Sequence, residues 1–204
     1  MSERIYDRKR DSIHRGPEGG RYIDQYEAEL DRDFKDFEGK RILEIGAGPE
    51  LRFANNLVQQ GIHAEVVSLS PAFANDADRS KALEHGTGLM LAGDAVTLPF
   101  PDNSFDDGVA LHVTEHLTRG ETLQMVHEAA RVLRPGGAID IAPFYDDEQY
   151  PNHVIPDIQS TMGTGVEVVW RRPRAPYKTK RLPDNTGYKQ DVDVYILTIK
   201  KKSR

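Results

Sequence analysis

The sequence predicts an α/β fold: one domain built on a mostly parallel seven-stranded sheet, with helices on both faces and an antiparallel hairpin at the C-terminal end. Two observations support this prediction. From residue 41 to residue 142, short apolar runs of strand length alternate with helical patterns, as in a parallel sheet covered on both sides. Two further β-rich runs, at 166–170 and 192–199, end the chain and are expected to form the hairpin.

Length and composition are consistent with a single domain. The chain has 204 residues, of which 38% are hydrophobic, enough for one sizeable core. We divide it into an N-terminal arm and helix (1–38), a core (39–142), and an irregular segment with the hairpin (143–204). The absence of cysteine excludes disulfides and thiolate chemistry.

The sequence shows no sign of a membrane partner. No apolar run approaches the ~20 residues of a spanning helix, and residues 1–15 are charged throughout and lack the apolar centre of a signal peptide. We therefore expect a soluble, cytoplasmic protein, and we make no prediction of its oligomeric state.

The first predicted element is an amphipathic helix. Apolar side chains recur every three or four residues between positions 23 and 37, with charged residues between them, which gives the helix one face to bury. These side chains are Ile23, Tyr26, Leu30, Phe34 and Phe37. We expect this helix to pack beside the sheet.

The core is predicted to begin with the strand Arg41–Ile45 and a crossover helix from Leu51, whose buried side includes Leu57 and Val58 and which Gly61 ends. The later strands are expected at 64–69, 89–92, 105–112 and 138–142, and the later helices at 71–85 and 120–133. The run Arg134–Gly137 is expected to end the last of these helices. We predict no element with certainty between 143 and 164.

The turn after the first strand is the first candidate site. Gly46 and Gly48 stand between a strand and a helix start, so the backbone there is able to approach a ligand closely, and the helix directs free N–H groups toward it. These features predict a cofactor site. A glycine turn that binds nothing has the same pattern, so the rest of the chain must decide.

Three sequence blocks together resemble one known family. They are Leu43–Gly48, then Gly93–Ala95 with Leu98–Asp106, and then Arg131–Gly137. In this order and at these spacings, the run from Glu44 to Gly137 resembles the core of the class I S-adenosylmethionine-dependent methyltransferases, in the type 11 group that includes the quinone-biosynthesis enzymes. The resemblance implies a Rossmann-like methyltransferase domain.

The resemblance also implies S-adenosylmethionine as cofactor, with S-adenosylhomocysteine as product, bound at the carboxyl ends of the strands. In this family an acid after the third strand bonds the adenine amino group, and Asp94 stands at that position. The residues implied at the cofactor are Glu44, Gly46, Ala47, Gly48, Ser68, Leu69, Asp94, Ala95 and Leu111.

Two positions depart from the family pattern. Glu50 stands where the family usually has a third glycine, and Ser68 stands where it usually has the acid that binds both ribose hydroxyls. A neutral hydroxyl forms weaker hydrogen bonds than a carboxylate, and Glu50 would repel the cofactor carboxylate if it pointed inward. We therefore expect a site that is weakened or adapted.

The candidate catalytic residues are His112, Glu115 and His116, which follow the fourth predicted strand. Methyl transfer needs a base only when the acceptor is a hydroxyl or an acidic carbon. These residues also spell the H-x-x-E-H pattern of inverted zinc peptidases. That activity requires both histidines on one helix, whereas here the pattern spans a strand end, so we predict no metal site.

Charge is distributed unevenly along the chain. Residues 170–204 contain 11 Lys and Arg against 3 Asp and Glu, whereas residues 1–169 contain 16 against 30. The basic segment Arg171–Arg181 either offsets the acidic body or binds phosphates.

From the family resemblance, our main hypothesis is methyl transfer to a small molecule. The alternatives are methylation of RNA or another anionic macromolecule through this segment, and a binding or regulatory protein without turnover.

Overall fold

The computed structural model describes residues 23–86, 88–145, 155–173 and 194–203, together with the two-residue strands at 182–183 and 189–190. The predicted arm before residue 23 and positions 174–181 of the basic segment lie outside the described residues. Within the described part of the chain, no helix has the length and apolar character needed to cross a membrane.

The described fold alternates strands and helices along most of its length. The helices are α1 (Ile23–Leu30), α2 (Arg52–Gln59), α3 (Asp76–His85), α4 (Arg119–Val132) and α5 (Ile155–Thr161). The strands are β1 (Arg41–Ile45), β2 (Glu65–Ser70), β3 (Leu89–Ala92), β4 (Phe105–Leu111), β5 (Leu133–Tyr145), β6 (Val166–Arg171), β7 (Leu182–Pro183), β8 (Lys189–Gln190) and β9 (Val194–Lys201). Short 3₁₀ helices cover Phe34–Phe37, Pro71–Ala74 and Thr114–His116.

Seven of these strands form one sheet in the order β3-β2-β1-β4-β5-β9-β6. The strands from β3 to β5 are parallel to one another, and β9 lies antiparallel between β5 and β6. Both the seven-stranded sheet and the antiparallel pair at the C-terminal end are therefore confirmed. Because β1 to β4 are parallel, the loops that follow them all lie at one edge of the sheet.

Each face of the sheet has its own apolar core. On one face, Leu43 and Val67 pack with Met125 and Ala129 of α4. On the other face, α1, α2 and the first 3₁₀ helix cover β1, β2 and β4. That second core contains four packed aromatic rings with centroids 5.4–6.0 Å apart, from Tyr26, Phe34, Phe37 and Phe53.

The first predicted helix is wrong in its extent. α1 ends at Leu30, and Asp31 takes a left-handed backbone conformation with φ 50°. The Asp33 side chain then accepts the backbone N–H of Lys35 and begins the 3₁₀ helix. The predicted buried positions were correct, because Phe34 and Phe37 are buried in the same core as Leu30. These side chains come from two helices joined by a turn, however, and not from one helix.

Two further predictions about helices need correction. Val58 is 56% exposed, because the face of α2 that packs on the sheet is formed by Phe53, Ala54 and Leu57, and the next position is rotated by about 100°. The predicted helix at 71–85 is divided, since the Asn75 side chain accepts from the backbone N–H of Ala77 and caps α3.

The run Arg134–Gly137 does more than end a helix. α4 ends at Val132, and β5 begins at Leu133. The pairing of β4 with β5 shifts register between Phe105 and Asp107, and Gly136 has φ 85°, so the run forms an irregular entry into a longer strand than predicted. Part of the stretch left unassigned, 143–164, contains α5.

A buried charge network ties the residues just after α1 to four strands, β4, β5, β6 and β9. Its members are Arg32, Lys40, Asp107, Asp140, Arg171 and Thr198. Asp107 and Asp140 are each 1% exposed. The Arg32 guanidinium donates to Asp107 at 2.7 Å and to Asp140 at 3.2 Å, and Arg171 donates to Asp140 at 2.8 Å. Sequence analysis did not identify this network.

Each buried carboxylate of this network has a further hydrogen-bond partner besides Arg32. Lys40 donates to Asp107 at 2.9 Å, and the Thr198 hydroxyl donates to Asp140 at 2.6 Å. Burial acts to lower the pKa of the Arg32 guanidinium, but its hydrogen bonds and charge interactions with Asp107 and Asp140 raise that pKa above the usual value. The arginine is therefore a fixed positive charge under α1.

Candidate active site

The loop after β1 is closed by contacts that require a glycine. Gly46 has φ 79°, and the backbone N–H groups of Gly46 and Ala47 both donate to the carbonyl of Leu69, at 2.8 and 3.2 Å. A Cβ on Gly46 would lie 2.3 Å from the Cγ2 atom of Val113. Gly46 is thus needed by the fold itself, whatever the loop binds.

Gly48 differs from Gly46 in this respect. A Cβ at Gly48 would meet one side-chain atom within 4 Å, the Oε2 atom of Glu50 at 3.4 Å, which is ordinary van der Waals contact. The surrounding protein therefore leaves room for a side chain there. The loop is therefore open at Gly48, although openness alone does not identify a ligand site, since Gly120 and Gly163 are open as well.

Glu50, one of the two unusual positions, is neutralised within the protein. Its carboxylate forms an ion pair with Lys81 of α3, and its backbone carbonyl accepts from the Asn55 side chain at 2.9 Å. The following residue, Leu51, is buried and has φ 47°, and α2 starts directly after it. The expected repulsion by Glu50 is therefore offset by Lys81.

Ser68, the other unusual position, is bonded to Glu44. The two residues are direct neighbours across β1 and β2, and the Ser68 hydroxyl donates to Oε2 of Glu44 at 2.6 Å. Glu44 is 7% exposed. Burial raises the pKa of Glu44 to about 7, against the opposing effect of the Ser68 hydrogen bond. Ser68 is itself 2% exposed, so its hydroxyl is engaged by Glu44 inside the sheet.

This carboxyl group predicts an unusual pH dependence of stability. The pKa of Glu44 is raised from 4.5 to about 7, so its contribution to stability is fully present below pH 4.5 and is lost as the pH rises through about 7. That loss amounts to about 3 kcal/mol. Urea unfolding of the cofactor-free protein at about pH 5 and about pH 8 should show Glu44→Gln gaining on the wild type at the higher pH.

The matched control is Glu84→Gln, at an exposed position of α3. It should leave the difference in unfolding free energy between the two pH values unchanged. If Glu44→Gln behaves in the same way as this control, Glu44 is ionised in the folded protein without cost, and our account of the Glu44–Ser68 pair is wrong.

The loop after β3 presents Asp94 at the same edge of the sheet. Ile45, Leu69 and Leu91 are neighbours in the register of β1, β2 and β3, so the loops that follow these strands lie side by side. Asp94 is half-buried, and its Oδ1 atom accepts from the backbone N–H of Val96 at 3.1 Å. Ala95 beside it is buried. The structure thus gathers the predicted cofactor residues at one edge.

The candidate catalytic residues follow β4. Leu111, half-buried, is the last residue of the strand and packs with the core under α1 and α2. His112 has φ 58°, and its Nδ1 atom lies 3.0 Å from Oε2 of Glu115. His116 is exposed on the 3₁₀ helix. The structure therefore pairs His112 with Glu115 and places the third candidate outside this pair.

The sequence analysis missed one residue beside this pair. Glu29 of α1 places its Oε2 atom 3.7 Å from the Nε2 atom of His112, on the ring nitrogen that does not face Glu115. In the sequence, Glu29 is one of several acids on the polar side of an amphipathic helix, so no local signal distinguishes it. Its position depends on how α1 packs against the end of β4.

The zinc-peptidase pattern is not assembled as a metal site. His112 lies outside the 3₁₀ helix that contains Glu115 and His116, and Glu29 and Glu115 face opposite nitrogens of the imidazole. Among the residues that the structure describes, no group of three or more His, Asp or Glu side chains has an arrangement suited to a metal ion.

In the described part of the basic segment, Arg171 forms its hydrogen bonds within the protein. Arg171 donates to Asp140, to the Thr198 hydroxyl and to the backbone carbonyls of Leu30 and Asp31. The Arg172 guanidinium lies 5.5 Å from the ring centroid of Tyr195. Arg171 is thus a structural residue, and the predicted phosphate contact would rest on the exposed Arg172 and on positions outside the described residues.

Sheet order, the loop after β1 and the acid after β3 together define a class I S-adenosylmethionine-dependent methyltransferase fold. Residues 43–141, just under half of the chain, match the family model described as "Methyltransferase domain". The resemblance read from the three sequence blocks is confirmed. The cofactor used by this class is S-adenosylmethionine.

Curated relatives and solved structures agree with this assignment. The chain is 33% identical to 27-O-demethylrifamycin SV methyltransferase of Amycolatopsis mediterranei over 115 residues, which are 52% of this chain and 39% of the relative. It is 32% identical to the ubiquinone/menaquinone biosynthesis C-methyltransferase UbiE of Roseobacter denitrificans over 117 residues, 56% of this chain and 45% of the relative. The chain thus spans less than half of the length of these relatives.

Two solved structures have the same fold at low sequence identity. A SAM-dependent methyltransferase from Methanosarcina mazei superposes with a TM-score of 0.52 at 18% identity, covering 90% of this chain and 99% of that one. The [4+2]-cyclase SpnF superposes with a TM-score of 0.58 at 19% identity, covering 89% and 80%. Since a protein named as a cyclase shares the fold, the fold alone does not identify the reaction.

Proposed function

We propose that this protein transfers a methyl group from S-adenosylmethionine to a small-molecule acceptor. The observation that carries the proposal is the match of residues 43–141 to a methyltransferase domain, together with the open position at Gly48. This position follows β1 at the carboxyl edge of the sheet, the same edge at which the loops after β2 and β3 lie. Ligands of open α/β sheets bind at this edge.

The chain's own groups would hold the cofactor as follows. Gly46, Ala47 and Gly48 line its methionine part, with Glu44 beneath them. Ser68 and the Leu69 backbone lie beside the ribose, Asp94 and Ala95 face the adenine, and Leu111 lies under the methionine and the acceptor. The bound cofactor supplies an electrophilic methyl group on a sulfonium, so the protein's main tasks are to align the acceptor and to exclude water.

A small-molecule acceptor is favoured over a macromolecule by two observations. The matched relatives are named as methyltransferases of a rifamycin and of ubiquinone and menaquinone. In addition, Arg171 is engaged within the fold. RNA or another anionic macromolecule remains the alternative acceptor, and its binding should weaken steeply with salt.

Calorimetric titration with S-adenosylmethionine and with S-adenosylhomocysteine tests the proposal. The intact protein should bind both, and Asp94→Ala should weaken binding about 10–100-fold, because about 1.5–3 kcal/mol is typical of a hydrogen bond to a charged group. The control Asp76→Ala, an exposed acid on α3, should leave the affinity within about twofold.

Three outcomes separate the hypotheses. If the intact protein binds neither molecule, methyl transfer to any acceptor is ruled out. If Asp94→Ala binds as tightly as the wild type, the adenine lies elsewhere. If the protein binds the cofactor but methylates no compound in a broad acceptor panel, the alternative of a binding or regulatory protein gains support, as the altered positions Glu50 and Ser68 would then suggest.

A further inference from the structure

A cleft opens at the amino edge of the sheet, opposite to the edge of the proposed cofactor site. It has a volume of about 580 Å³ and is lined by residues near the starts of β1, β2, β4 and β5 and near the end of α2. The five residues of β1, about 15 Å of extended chain, separate it from Gly46. We propose that this cleft binds a small amphiphilic carboxylate, whose charged group contacts Arg41 and Arg134 and whose apolar part lies against Val58 and Ile62.

One wall of the cleft is apolar. Val58, on α2, and Ile62, just after it, both line the cleft. Ile62 is 8% exposed and packs in the core under α1 and α2, so packing fixes its position. Val58 is 56% exposed and presents its methyl groups to the solvent in the cleft. An apolar ligand group placed against this wall removes apolar surface from water, which favours binding.

Charged side chains form most of the remaining lining. The cations are Lys40, Arg41 and Arg134, and the carboxylates are Glu65 and Asp106. Burial acts to raise the pKa of Asp106, but hydrogen bonds from the Arg41 backbone and the Arg134 guanidinium lower that pKa below its usual value. Asp106 is therefore ionised at neutral pH. With His63 neutral, three cations face two carboxylates, which leaves the cleft with an excess of one positive charge.

The excess positive charge persists when the adjoining network is included. Lys40 donates to Asp107 of that network at 2.9 Å. The network adds two cations and two carboxylates to the sum, namely Arg32, Arg171, Asp107 and Asp140. One ionised carboxylate neutralises the excess, whereas a phosphate dianion would reverse its sign. The charge balance therefore favours a monocarboxylate as the ligand.

Arg41 supplies the first guanidinium for this carboxylate. Its Nε atom lies 3.0 Å from Oε1 of Glu65, and the two side chains are 36% and 55% exposed, so this ion pair is of the weak surface kind. The guanidinium lies 5.2 Å from the ring centroid of Phe105, which supports it. In the described part of the chain, its two terminal nitrogens donate no hydrogen bond. They are therefore left to bind a ligand carboxylate.

Arg134 supplies the second guanidinium. One terminal nitrogen donates to Oδ1 of Asp106 at 2.5 Å, and Nε donates to the backbone carbonyl of Asn103 at 3.3 Å. The Arg134 side chain is 45% exposed. The other oxygen of Asp106 accepts from the backbone N–H of Arg41 at 2.9 Å. Asp106 thus holds both arginines at one place in the cleft, where a ligand carboxylate is able to contact the two guanidinium groups.

Titration of the full chain with 2-naphthoate tests the proposal, with 2-naphthamide as the neutral counterpart. We expect a dissociation constant of about 1 mM or below for the carboxylate, as is typical of a ligand of this size, and binding of the amide at least about 10-fold weaker. Proton–nitrogen correlation spectra of the ¹⁵N-labelled chain locate the site. The backbone signals of Gly39, Ala64 and Glu65, which line the cleft, should shift, and those of Gly46 and Gly93 at the other edge should not.

Substitutions in the cleft test each contact. Arg41→Gln should weaken 2-naphthoate binding about 10–100-fold, the usual effect of losing a hydrogen bond to a charged group. Val58→Asp should weaken it about 10-fold or more, because it replaces apolar surface with a like charge. Glu65→Gln should strengthen it about 2–5-fold, because it frees Arg41 from a competing carboxylate. The matched controls, each expected to stay within about twofold of the wild type, are the exposed α3 variants Arg79→Gln, Leu83→Asp and Glu84→Gln.

The outcomes are independent of the proposed function. A protein that binds no S-adenosylhomocysteine would refute the proposed function and leave the result at this cleft standing. The absence of 2-naphthoate binding, equal binding of the amide, shifts confined to the signals of Gly46 and Gly93, or unchanged affinity in Arg41→Gln and Val58→Asp would each overturn the cleft as a carboxylate site. Tighter binding of 2-naphthyl phosphate than of 2-naphthoate would overturn the carboxylate as the ligand class.

Discussion

Arg32→Ala is expected to lower the free energy of unfolding by about 3–5 kcal/mol, the usual cost of removing one partner from a buried ion pair. The arginine donates to Asp107 and Asp140, two carboxylates that are almost fully buried. Lys40 and Arg171 each keep one of these carboxylates partnered, so we expect the lower end of this range. Urea unfolding of the cofactor-free protein measures the effect.

A surface pair provides the control for this prediction. Arg79 pairs with Asp76, and the two side chains are 51% and 88% exposed, so Arg79→Ala should cost less than about 1 kcal/mol. Adding Asp107→Asn to Arg32→Ala should restore part of the lost stability, because it removes one buried negative charge. If Arg32→Ala is as mild as Arg79→Ala, the network does not hold α1 in place.

Gly46→Val is expected to abolish measurable cofactor binding and to destabilise the fold. Its Cβ would lie 2.3 Å from Cγ2 of Val113, and its φ of 79° is a conformation that a β-branched residue rarely adopts. The loop must therefore move, and the affinity should fall by more than about 100-fold, since more than about 2.7 kcal/mol of strain and lost contacts is involved. Thermal unfolding and calorimetry with S-adenosylhomocysteine measure both effects.

Gly48→Ala separates a ligand effect from a folding effect. The new Cβ would make an ordinary contact with Glu50, so stability should stay within about 0.5 kcal/mol of the wild type. Affinity for S-adenosylhomocysteine should nevertheless fall about 10-fold or more, because the methyl group occupies the space proposed for the cofactor. Unchanged affinity in a stable Gly48→Ala protein would show that the cofactor does not approach this glycine.

The helix α1 is held by the buried charge network and contacts the residue that follows β4. Its last turn and the residues just after it are held by Arg32 and Arg171 through contacts with the sheet and with the carbonyls of Leu30 and Asp31. The same helix brings Glu29 to His112. A variant that loosens the network should therefore disturb the contact between Glu29 and His112 as well as lower the free energy of unfolding.

Where the predictions from sequence were correct, the signals were local. The strand Arg41–Ile45 and the parallel strands after it are each signalled by a few consecutive residues, and parallel pairing then places the loops that follow them at one edge. The same argument explains the failures. The break at Asp31 and the exposure of Val58 depend on which side chains the sheet has room to cover, and a periodic pattern does not contain that information.

The sequence alone determined the class of fold, because apolar periodicity and the order of the three blocks are properties of the chain itself. Only the tertiary structure paired Glu29 and Glu115 with His112, joined Ser68 to Glu44 and neutralised Glu50 with Lys81. Most of these partners lie far apart in the sequence, and their contacts depend on packing between elements, which sets the charge and proton affinity of each group.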